Sequence, residues 1–391
     1  MRLRLNALLA SVLLAAGAAG LAACGSDEPE PEPAASAPER PAPTPEEPAG
    51  GAEGEGVGER PERTPEAERE GTSGPVVAAN LEVPWGVAFL PDGDALVSER
   101  TTARILRVPA GGGEPEEVMT VPGVETDAGE GGLLGLAVSP DFERDGLVYA
   151  YLTSARDNRI VRMELEGGGD PEVVFDGIQA ATIHNGGRIA FGPDGKLYAG
   201  TGDAGDTSLA QDPSSPNGKI LRLEPDGSVP DDNPRDGSPV LSLGHRNVQG
   251  LAWDDRERLW ATEFGQNTFD EINQIRPGRN YGWPEVEGDG TGGGRFVAPE
   301  VTWPTSEASP SGVAYADGAL YVGALRGQRI WRVPLDGRSA GRPEALLDGE
   351  YGRLRSVTAV PGGDALWATT SNRDGRGDPA EDDDRIIRLE P

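Results

Sequence analysis

Short apolar segments alternate with turns throughout residues 75–391, and they recur in the same order. Each unit opens with an apolar segment, continues through a turn containing Pro, Asp or Gly, and closes with a second apolar segment. Pro fixes φ and Gly tolerates positive φ, so each turn predicts two strands joined tightly. Six copies are visible: GVAFLPDGDALVSE from Gly86, GLAVSPDFERDGLVYAYL from Gly135, RIAFGPDGKLYAGTG from Arg188, GLAWDDRERLWATE from Gly250, GVAYADGALYVGA from Gly312 and VTAVPGGDALWATT from Val357.

A third strand follows each copy, because apolar and polar residues then alternate with period two, as in half-buried strands. These segments are RILRV from Arg104, RIVRMEL from Arg159, KILRLEP from Lys219, EINQIRP from Glu271, RIWRVPLDG from Arg329 and RIIRLEP from Arg385. A six-fold all-strand repeat of about 45–60 residues predicts an all-β fold, the six-bladed β-propeller. A β-sandwich, the alternative fold, does not predict six copies.

A weaker fourth strand completes the blades. It follows five units, near Val118, Val173, Val240, Val297 and Leu346, but the chain ends just after the sixth. We expect the missing strand to be VVAANL, residues 76–81, which precede the first unit. The N-terminal strand then completes the last blade and closes the ring, which removes an exposed sheet edge.

The repeat also sorts the loops between two faces. If the strands are lettered A to D from the axis outward, the D-to-A and B-to-C loops share one face, and the Pro-Asp-Gly turns lie on the other. The first face collects acidic, basic and aromatic side chains, which predicts a polar small-molecule site. The residues are Glu130, His184, Arg246, Asn247, Trp303, Thr305, Arg353 and Arg355 in D-to-A loops, and the segment 202–206, Gly265, Gln266 and Arg326 in B-to-C loops.

The N-terminus reads as an export signal. Residues 1–23 carry two arginines and then an apolar run, as in a secretory signal peptide, and end LAA before Cys24. This ending resembles a bacterial lipobox, so we expect cleavage before Cys24, acylation of its thiol and anchoring in the cell envelope on the outer face of the cytoplasmic membrane. A plain transmembrane anchor is the alternative. Cys24 is the one cysteine of the chain, which excludes an intramolecular disulfide.

The segment 24–74 is rich in Pro, Glu, Gly and Ala, and residues 25–74 contain 14 acidic and 4 basic residues. Such a segment buries too little apolar surface to offset its ordering entropy, so we expect a disordered tether. Most of the chain's net charge of −31 therefore belongs to the domain at 75–391. An acidic domain is a poor nucleic-acid binder and tolerates bound cations such as calcium.

The loop sequences resemble those of the soluble quinoprotein glucose/sorbosone dehydrogenases, including the aldose sugar dehydrogenases. The resemblance covers nearly all of residues 76–391, and the GHRN-x-QGL and DEIN…NYGWP strings make it specific. The matching strings are GEGGLLGLAVSPDF from Gly129, HNGGRIAFGPDGKLY from His184, LGHRNVQGLAW from Leu243, DEINQIRPGRNYGWP from Asp270, GALRGQ from Gly323 and GRLRSV from Gly352.

The resemblance implies that pyrroloquinoline quinone (PQQ) and calcium bind on the axis, that an aldose is oxidised at C1 to its lactone, and that an external acceptor takes the electrons. His184 matches the general base, and Arg246 with Asn247 matches the pair that binds the quinone oxygens. Arginine forks suit the carboxylates of PQQ, and calcium takes oxygen ligands and acts as a Lewis acid. The other implied cofactor contacts are Glu130, Trp303, Thr305, Ala324, Leu325, Arg326, Arg353, Leu354 and Arg355, and the implied metal ligands are Gly265, Gln266, Glu271 and Tyr281.

Three positions depart from the family pattern. Glu130 replaces a Gln of some members, which adds a negative charge near an anionic cofactor. Gln266 replaces a common Pro, although the implied ligand there is a carbonyl. The loop EVEGDGTGGGRF after Tyr281 is short and lacks an aromatic residue that some members place near the cofactor.

Simpler interpretations exist for several residues. Arg246 and His245 could order a loop, one of Arg353 and Arg355 could be a solvated charge, and Glu271 could lie on a strand edge. We assign Asp203 and Asp206 to turn capping and leave them outside the site. For the whole protein, the alternative function is a non-enzymatic propeller that binds a glycan or protein at the cell envelope, since propellers host both classes. A histidine and several arginines gathered on one axis favour the enzyme.

Overall fold

Six antiparallel sheets of four strands each make up the part of the chain that the structure describes. The structure is a computed structural model that describes residues 74–167, 169–337, 339–363 and 365–391. The predicted signal peptide, Cys24 and the tether up to residue 73 lie outside these residues. The sheets are the blades of a six-bladed β-propeller, which confirms the predicted fold class.

The first five blades each use four consecutive strands, numbered from the innermost outward. The first two blades are β2 (Pro84–Phe89), β3 (Ala95–Glu99), β4 (Arg104–Val108), β5 (Glu116–Thr120), β6 (Leu133–Val138), β7 (Leu147–Thr153), β8 (Asn158–Glu164) and β9 (Glu172–Ile178). The third and fourth are β10 (Arg188–Phe191), β11 (Leu197–Gly200), β12 (Lys219–Leu223), β13 (Val240–Leu243), β14 (Val248–Trp253), β15 (Leu259–Glu263), β16 (Phe269–Ile275) and β17 (Val301–Pro304). The fifth is β18 (Pro310–Ala316), β19 (Ala319–Ala324), β20 (Arg329–Pro334) and β21 (Glu344–Leu346).

The last blade joins the two ends of the described domain. Its strands are β22 (Leu354–Ala359), β23 (Leu366–Thr370), β24 (Ile386–Leu389) and the N-terminal β1 (Val76–Ala78). The β1 strand pairs antiparallel with β24, with Val76 opposite Ile387. The predicted closure by the N-terminal strand is therefore confirmed, since β1 is the fourth and outermost strand of the last blade.

The core lies between neighbouring blades rather than at one centre. Leu96 of the first blade packs with Leu133 and Val148 of the second in one cluster of buried side chains. The inner strands also approach each other closely at the axis, where a β-carbon on Gly135 would lie 2.3 Å from the carbonyl oxygen of Gly187. A glycine opens four of the six copies, and a β-carbon on each of them would lie within 2.8 Å of another atom, which explains why these four positions lack a side chain.

Two four-residue helices lie in the connections between strands. The α1 helix (Phe142–Asp145) lies in the turn between β6 and β7, and α2 (Ser208–Gln211) lies in the loop between β11 and β12 on the opposite face. Of the helices in the described ranges, none is long and apolar enough to cross a membrane. On the opposite face from the Pro-Asp-Gly turns, D-to-A loops contact B-to-C loops: His184 contacts Asp203, and Arg353 contacts Asp374.

Candidate active site

His184 lies in the loop that leads into β10 and is held from three sides. Its φ of 56° is left-handed, a strained conformation for a residue other than glycine. Its backbone N–H donates to Glu130 Oε2 at 3.0 Å. Its ring contacts Asp203 Oδ1 through Nδ1 at 2.7 Å and Arg246 Nη2 through Nε2 at 2.8 Å. Loops from three blades therefore fix the orientation of one imidazole.

The ring's partners determine its tautomer. A guanidinium can only donate hydrogen bonds, so Nε2 of His184 accepts from Arg246 and carries a lone pair. The ring proton then lies on Nδ1 and points at the Asp203 carboxylate. This aspartate–histidine pair is the arrangement that holds an imidazole ready to accept a proton at Nε2 and stabilises the cation that forms.

Asp203 belongs to the site, although the sequence interpretation left it out. Its carboxylate does cap a turn, since Oδ1 accepts the Gly205 N–H at 2.8 Å, but it also accepts Trp283 Nε1–H at 2.8 Å through Oδ2. Burial raises the pKa of Asp203, and the donors from His184, Gly205 and Trp283 outweigh it and hold that pKa below its usual range. The G-T-G-D-A-G-D string in a B-to-C loop was the available sequence signal.

Arg246 and Asn247 present unpartnered donors beside the histidine. Arg246 donates through Nη1 to the Phe264 carbonyl at 3.1 Å, and its guanidinium lies 5.5 Å from the centre of the Trp283 ring. Asn247 accepts the Gly186 N–H at 2.9 Å. In the described ranges, Nε of Arg246 and Nδ2 of Asn247 are buried without a hydrogen-bond partner. Buried donors of this kind are rare, and they fit oxygen atoms of a bound ligand.

A second group of charges surrounds Asp374, which comes from the last B-to-C loop. Arg353 donates to Asp374 Oδ2 at 2.8 Å, and Arg355 lies 3.6 Å from the same oxygen. Burial lowers the pKa of Arg355 to about 9. Arg100 is also buried, burial lowers its pKa, and the charges of Asp374 and Glu130 oppose this shift. Three arginines face one internal carboxylate here, which leaves excess positive charge that fits an anionic ligand.

The sequence interpretation recognised two of these four residues. Arg353 and Arg355 were predicted, whereas Arg100 and Asp374 were missed. Arg100 follows β3 directly, and Asp374 lies in the charged segment SNRDGRGD, which suggests solvent exposure by composition. The Nε of Arg100 is another buried donor without a partner among the described residues.

Glu130 does not leave an uncompensated charge near the site. Arg376 donates to its Oε1 at 2.9 Å, and the His184 N–H occupies Oε2. Burial raises the pKa of Glu130, but these two donors outweigh it and hold the pKa below its usual range. The negative charge introduced at this position is therefore matched by an arginine from the last blade.

The remaining predicted cofactor contacts are of two kinds, residues in the loops near the site and residues buried in the hydrophobic core. Arg326 is exposed and donates to the Thr305 carbonyl at 3.3 Å, and the Leu325 carbonyl accepts from Arg353. Trp303 lies instead on the outermost strand of its blade, buried in the cluster between blades four and five, where it stacks on Trp331 at 5.7 Å. Ala324 and Leu354 are fully buried, and Leu354 packs in the cluster between the fifth and last blades. For Trp303, Ala324 and Leu354 the side chains are core residues, and the structure does not bring them to the histidine.

The implied metal ligands lie in two adjacent segments. Gly265 and Gln266 occupy the loop between β15 and β16, and their carbonyls accept no hydrogen bond from the described residues. In the described ranges there is no cluster of three His, Cys, Asp or Glu side chains able to hold a metal. The implied ligands are mostly backbone carbonyls, which such a cluster does not include, and calcium accepts carbonyl ligands.

Glu271 faces a second carboxylate, Glu263. The amide of Asn273 donates to both, at 3.0 Å and 2.8 Å, and its own oxygen has no partner among the described residues. Burial and the Glu263 charge raise the pKa of Glu271 well above its usual range. A cavity of about 10 Å³ touches Glu263, Glu271, Tyr281 and Gly265. A cavity of this size holds roughly one water-sized sphere, and the carboxylates of Glu263 and Glu271 beside it are oxygen donors of the kind that calcium takes.

His245 has the structural role expected of it. It is fully buried, contacts Glu263 through Nδ1 at 3.0 Å and Ser242 through Nε2 at 2.8 Å, and stacks on Tyr281 at 4.8 Å. Both ring nitrogens are occupied by side chains of the fold. His184 is therefore the histidine available for chemistry on the face that carries the D-to-A and B-to-C loops.

Comparisons with known proteins match nearly the whole described domain. The glucose/sorbosone dehydrogenase family profile matches residues 81–387. The structure of the PQQ-bound form of aldose sugar dehydrogenase from Streptomyces coelicolor has a TM-score of 0.79 and 59% sequence identity, covering 81% of this chain and 96% of that chain.

Two curated relatives are also similar. Aldose sugar dehydrogenase YliI of Escherichia coli is 28% identical over 339 residues, which is 77% of this chain and 90% of the relative. Quinoprotein glucose dehydrogenase B of Acinetobacter calcoaceticus is 35% identical over 265 residues, which is 58% of this chain and 55% of the relative. This second match therefore spans about half the length of that relative.

Proposed function

The chain belongs to the glucose/sorbosone dehydrogenase family, and from this premise we propose that it oxidises aldose sugars at C1 to lactones with PQQ and calcium as cofactors. One aldose loses two electrons and two protons in this reaction, and an external acceptor takes the electrons. The alternative, a propeller that only binds a glycan or protein, gains no support from any contact described above.

The geometry of His184 carries the proposal. Its Nε2 lone pair accepts a hydrogen bond from Arg246 Nη2 at 2.8 Å. A sugar C1 hydroxyl that donates to Nε2 must replace Arg246 as the donor, after which His184 can remove its proton. Asp203, whose Oδ1 accepts the Nδ1–H at an N–O distance of 2.7 Å, then stabilises the imidazolium.

The donor set fits the cofactor. PQQ, when bound, accepts the two electrons that leave C1. The buried unpartnered donors Arg246 Nε and Asn247 Nδ2 would hold carbonyl oxygens, and Arg100, Arg353 and Arg355 would hold carboxylates. The Gly265 and Gln266 carbonyls would hold its calcium, and Glu271 with the Tyr281 carbonyl would hold a second calcium.

Reconstitution tests the proposal. Purified protein is mixed with PQQ and Ca²⁺, cofactor binding is followed by absorbance, and dye reduction is measured with a panel of aldoses. Methyl glycosides of the same sugars are the matched control, because their C1 oxygen carries no proton for His184 to remove. We expect turnover with aldoses and none with the glycosides. Protein that binds no PQQ, or that oxidises both sets equally, would overturn the proposal.

We also propose that the enzyme is lipid-anchored on the outer face of the cytoplasmic membrane. The proposal rests on the apolar run of residues 1–23 and the LAA ending before Cys24. Cys24→Ser is expected to release the protein from the membrane fraction or leave it uncleaved. Processed, membrane-bound Cys24→Ser protein would contradict this assignment.

A further inference from the structure

Five consecutive backbone N–H groups in the loop after β15 are held by two carboxylates. Asp270 Oδ1 accepts the N–H of Gly265 at 2.9 Å. Glu287 Oε1 accepts the next four, from Gln266 at 2.8 Å, Asn267 at 3.1 Å, Thr268 at 3.0 Å and Phe269 at 3.1 Å. Successive N–H groups that converge on one anion form a backbone nest, and here the anion is a side chain of the protein itself.

This nest fixes the direction of specific carbonyls. The peptide group is planar and trans, so the C=O of one residue points opposite to the N–H of the next. Glu287 binds the N–H groups of Gln266 and Asn267, and it thereby sets the carbonyls of Gly265 and Gln266 on the opposite side. These are the two carbonyls that accept no hydrogen bond from the described residues.

Asp270 has the same effect one peptide earlier. Its bond to the Gly265 N–H orients the Phe264 carbonyl, which accepts from Arg246 Nη1 at 3.1 Å. The two carboxylates therefore divide the loop between them, with Asp270 orienting the carbonyl that holds Arg246 and Glu287 orienting the free carbonyls.

The segment that carries Glu287 is itself held by Glu271, which lies beside Glu263. The N–H of the next residue, Gly288, donates to Glu271 Oε1 at 2.7 Å. Glu287 belongs to the short Gly-rich loop that departs from the family pattern. That loop lacks the aromatic residue of other members, but it supplies the carboxylate that organises the carbonyl loop.

We propose that Glu287 is a positioning residue that directs the Gly265 and Gln266 carbonyls toward the cofactor calcium and thereby sets the calcium affinity of the PQQ site. This inference rests on the function proposed above. Without the Glu287 carboxylate, four N–H groups lose their acceptor, and the two peptide planes are free to rotate. Removing a group that orients metal ligands lowers metal affinity by about 10–100-fold.

The test measures cofactor binding rather than turnover. Purified wild-type, Glu287→Ala and Glu287→Gln proteins are titrated with Ca²⁺ at constant PQQ, and the PQQ absorbance change gives the half-saturating Ca²⁺ concentration. We expect an increase of about 10–100-fold for Glu287→Ala. Glu287→Gln keeps one carbonyl acceptor without the charge, and its half-saturating Ca²⁺ concentration is expected to lie between those of wild type and Glu287→Ala.

Glu285→Gln is the matched control, since Glu285 lies in the same loop and its Oε2 pairs with exposed Arg295 at 2.9 Å. Circular dichroism and melting in chelator show that each variant is folded. An unchanged half-saturating Ca²⁺ concentration in folded Glu287→Ala overturns the inference while leaving the proposed function intact. Wild-type protein that binds no PQQ at any Ca²⁺ concentration overturns the proposed function, and this inference with it.

Discussion

Replacing Asp203 with asparagine is expected to remove most of the catalytic rate while leaving the fold and the PQQ site in place. The carboxylate uses both oxygens as acceptors, Oδ1 for His184 Nδ1–H and the Gly205 N–H, and Oδ2 for Trp283 Nε1–H. An asparagine has one acceptor oxygen and one NH₂ group. Neither orientation of its amide satisfies all three donors.

Each orientation damages the site in a different way. If the amide oxygen faces Trp283, the NH₂ group donates to His184 Nδ1, which moves the ring proton to Nε2 and removes the lone pair that must accept the sugar proton. If the oxygen faces His184, the NH₂ group opposes the Trp283 N–H, and the buried unsatisfied donor costs about 1–3 kcal/mol. The imidazolium also loses the negative charge that stabilises it.

A positioned general base contributes about 10²–10⁴-fold to the rate. We expect kcat of Asp203→Asn to fall by that range, about 2.7–5.4 kcal/mol in activation free energy at 1.36 kcal/mol per tenfold. PQQ binding is expected to change little, because Asp203 contacts none of the unpartnered donors. The assay is dye-linked turnover of PQQ-loaded protein, with the loading measured by absorbance.

Asp206→Asn is the matched control. Asp206 lies in the same loop and is exposed, and its carboxylate accepts from Ser208, from the backbone N–H at 3.1 Å and from the hydroxyl at 2.6 Å. A PQQ-loaded Asp203→Asn protein with a kcat close to that of wild type and of Asp206→Asn would refute the assignment of Asp203 as the partner of the base.

Three further outcomes are expected. His184→Gln should bind PQQ with an unchanged absorbance spectrum but lose about 10²–10⁴-fold in kcat; full turnover of the loaded variant would remove His184 from the mechanism. A chelator should lower the melting temperature and Ca²⁺ should restore it, because a ligand at a hundredfold excess over its Kd stabilises the native state by about 2.7 kcal/mol; a melting curve indifferent to both would contradict the calcium sites. Gly135→Ala should destabilise the domain by about 1–3 kcal/mol, since its β-carbon would lie 2.3 Å from the Gly187 oxygen, whereas Gly363→Ala, with no atom nearer than 3.8 Å, should be neutral in urea unfolding.

The sequence by itself determined the architecture of this protein. Its six copies of one strand pattern predicted six blades, and the missing final strand predicted the closure of the last blade by residues 76–81, observed as the pairing of Val76 with Ile387. Both are local or periodic properties, because alternation along a strand and the chemistry of a tight turn depend on neighbouring residues. The loop order and the family motifs also predicted one shared site for five residues, which are His184, Arg246, Asn247, Arg353 and Arg355.

The tertiary structure alone decided which side chains meet there. Glu130 and Arg376 are separated by 246 positions and form an ion pair only because the ring closes. Asp203 resembles an ordinary turn cap in the sequence, and Asp374 resembles a solvated charge, yet the carboxylate of Asp203 is buried against His184 and that of Asp374 against Arg353. Trp303 shows the converse, since the sequence predicted a cofactor contact and the structure buries its side chain between the fourth and fifth blades. Loop partners depend on the angle between blades, a property of inter-blade packing that no local pattern records.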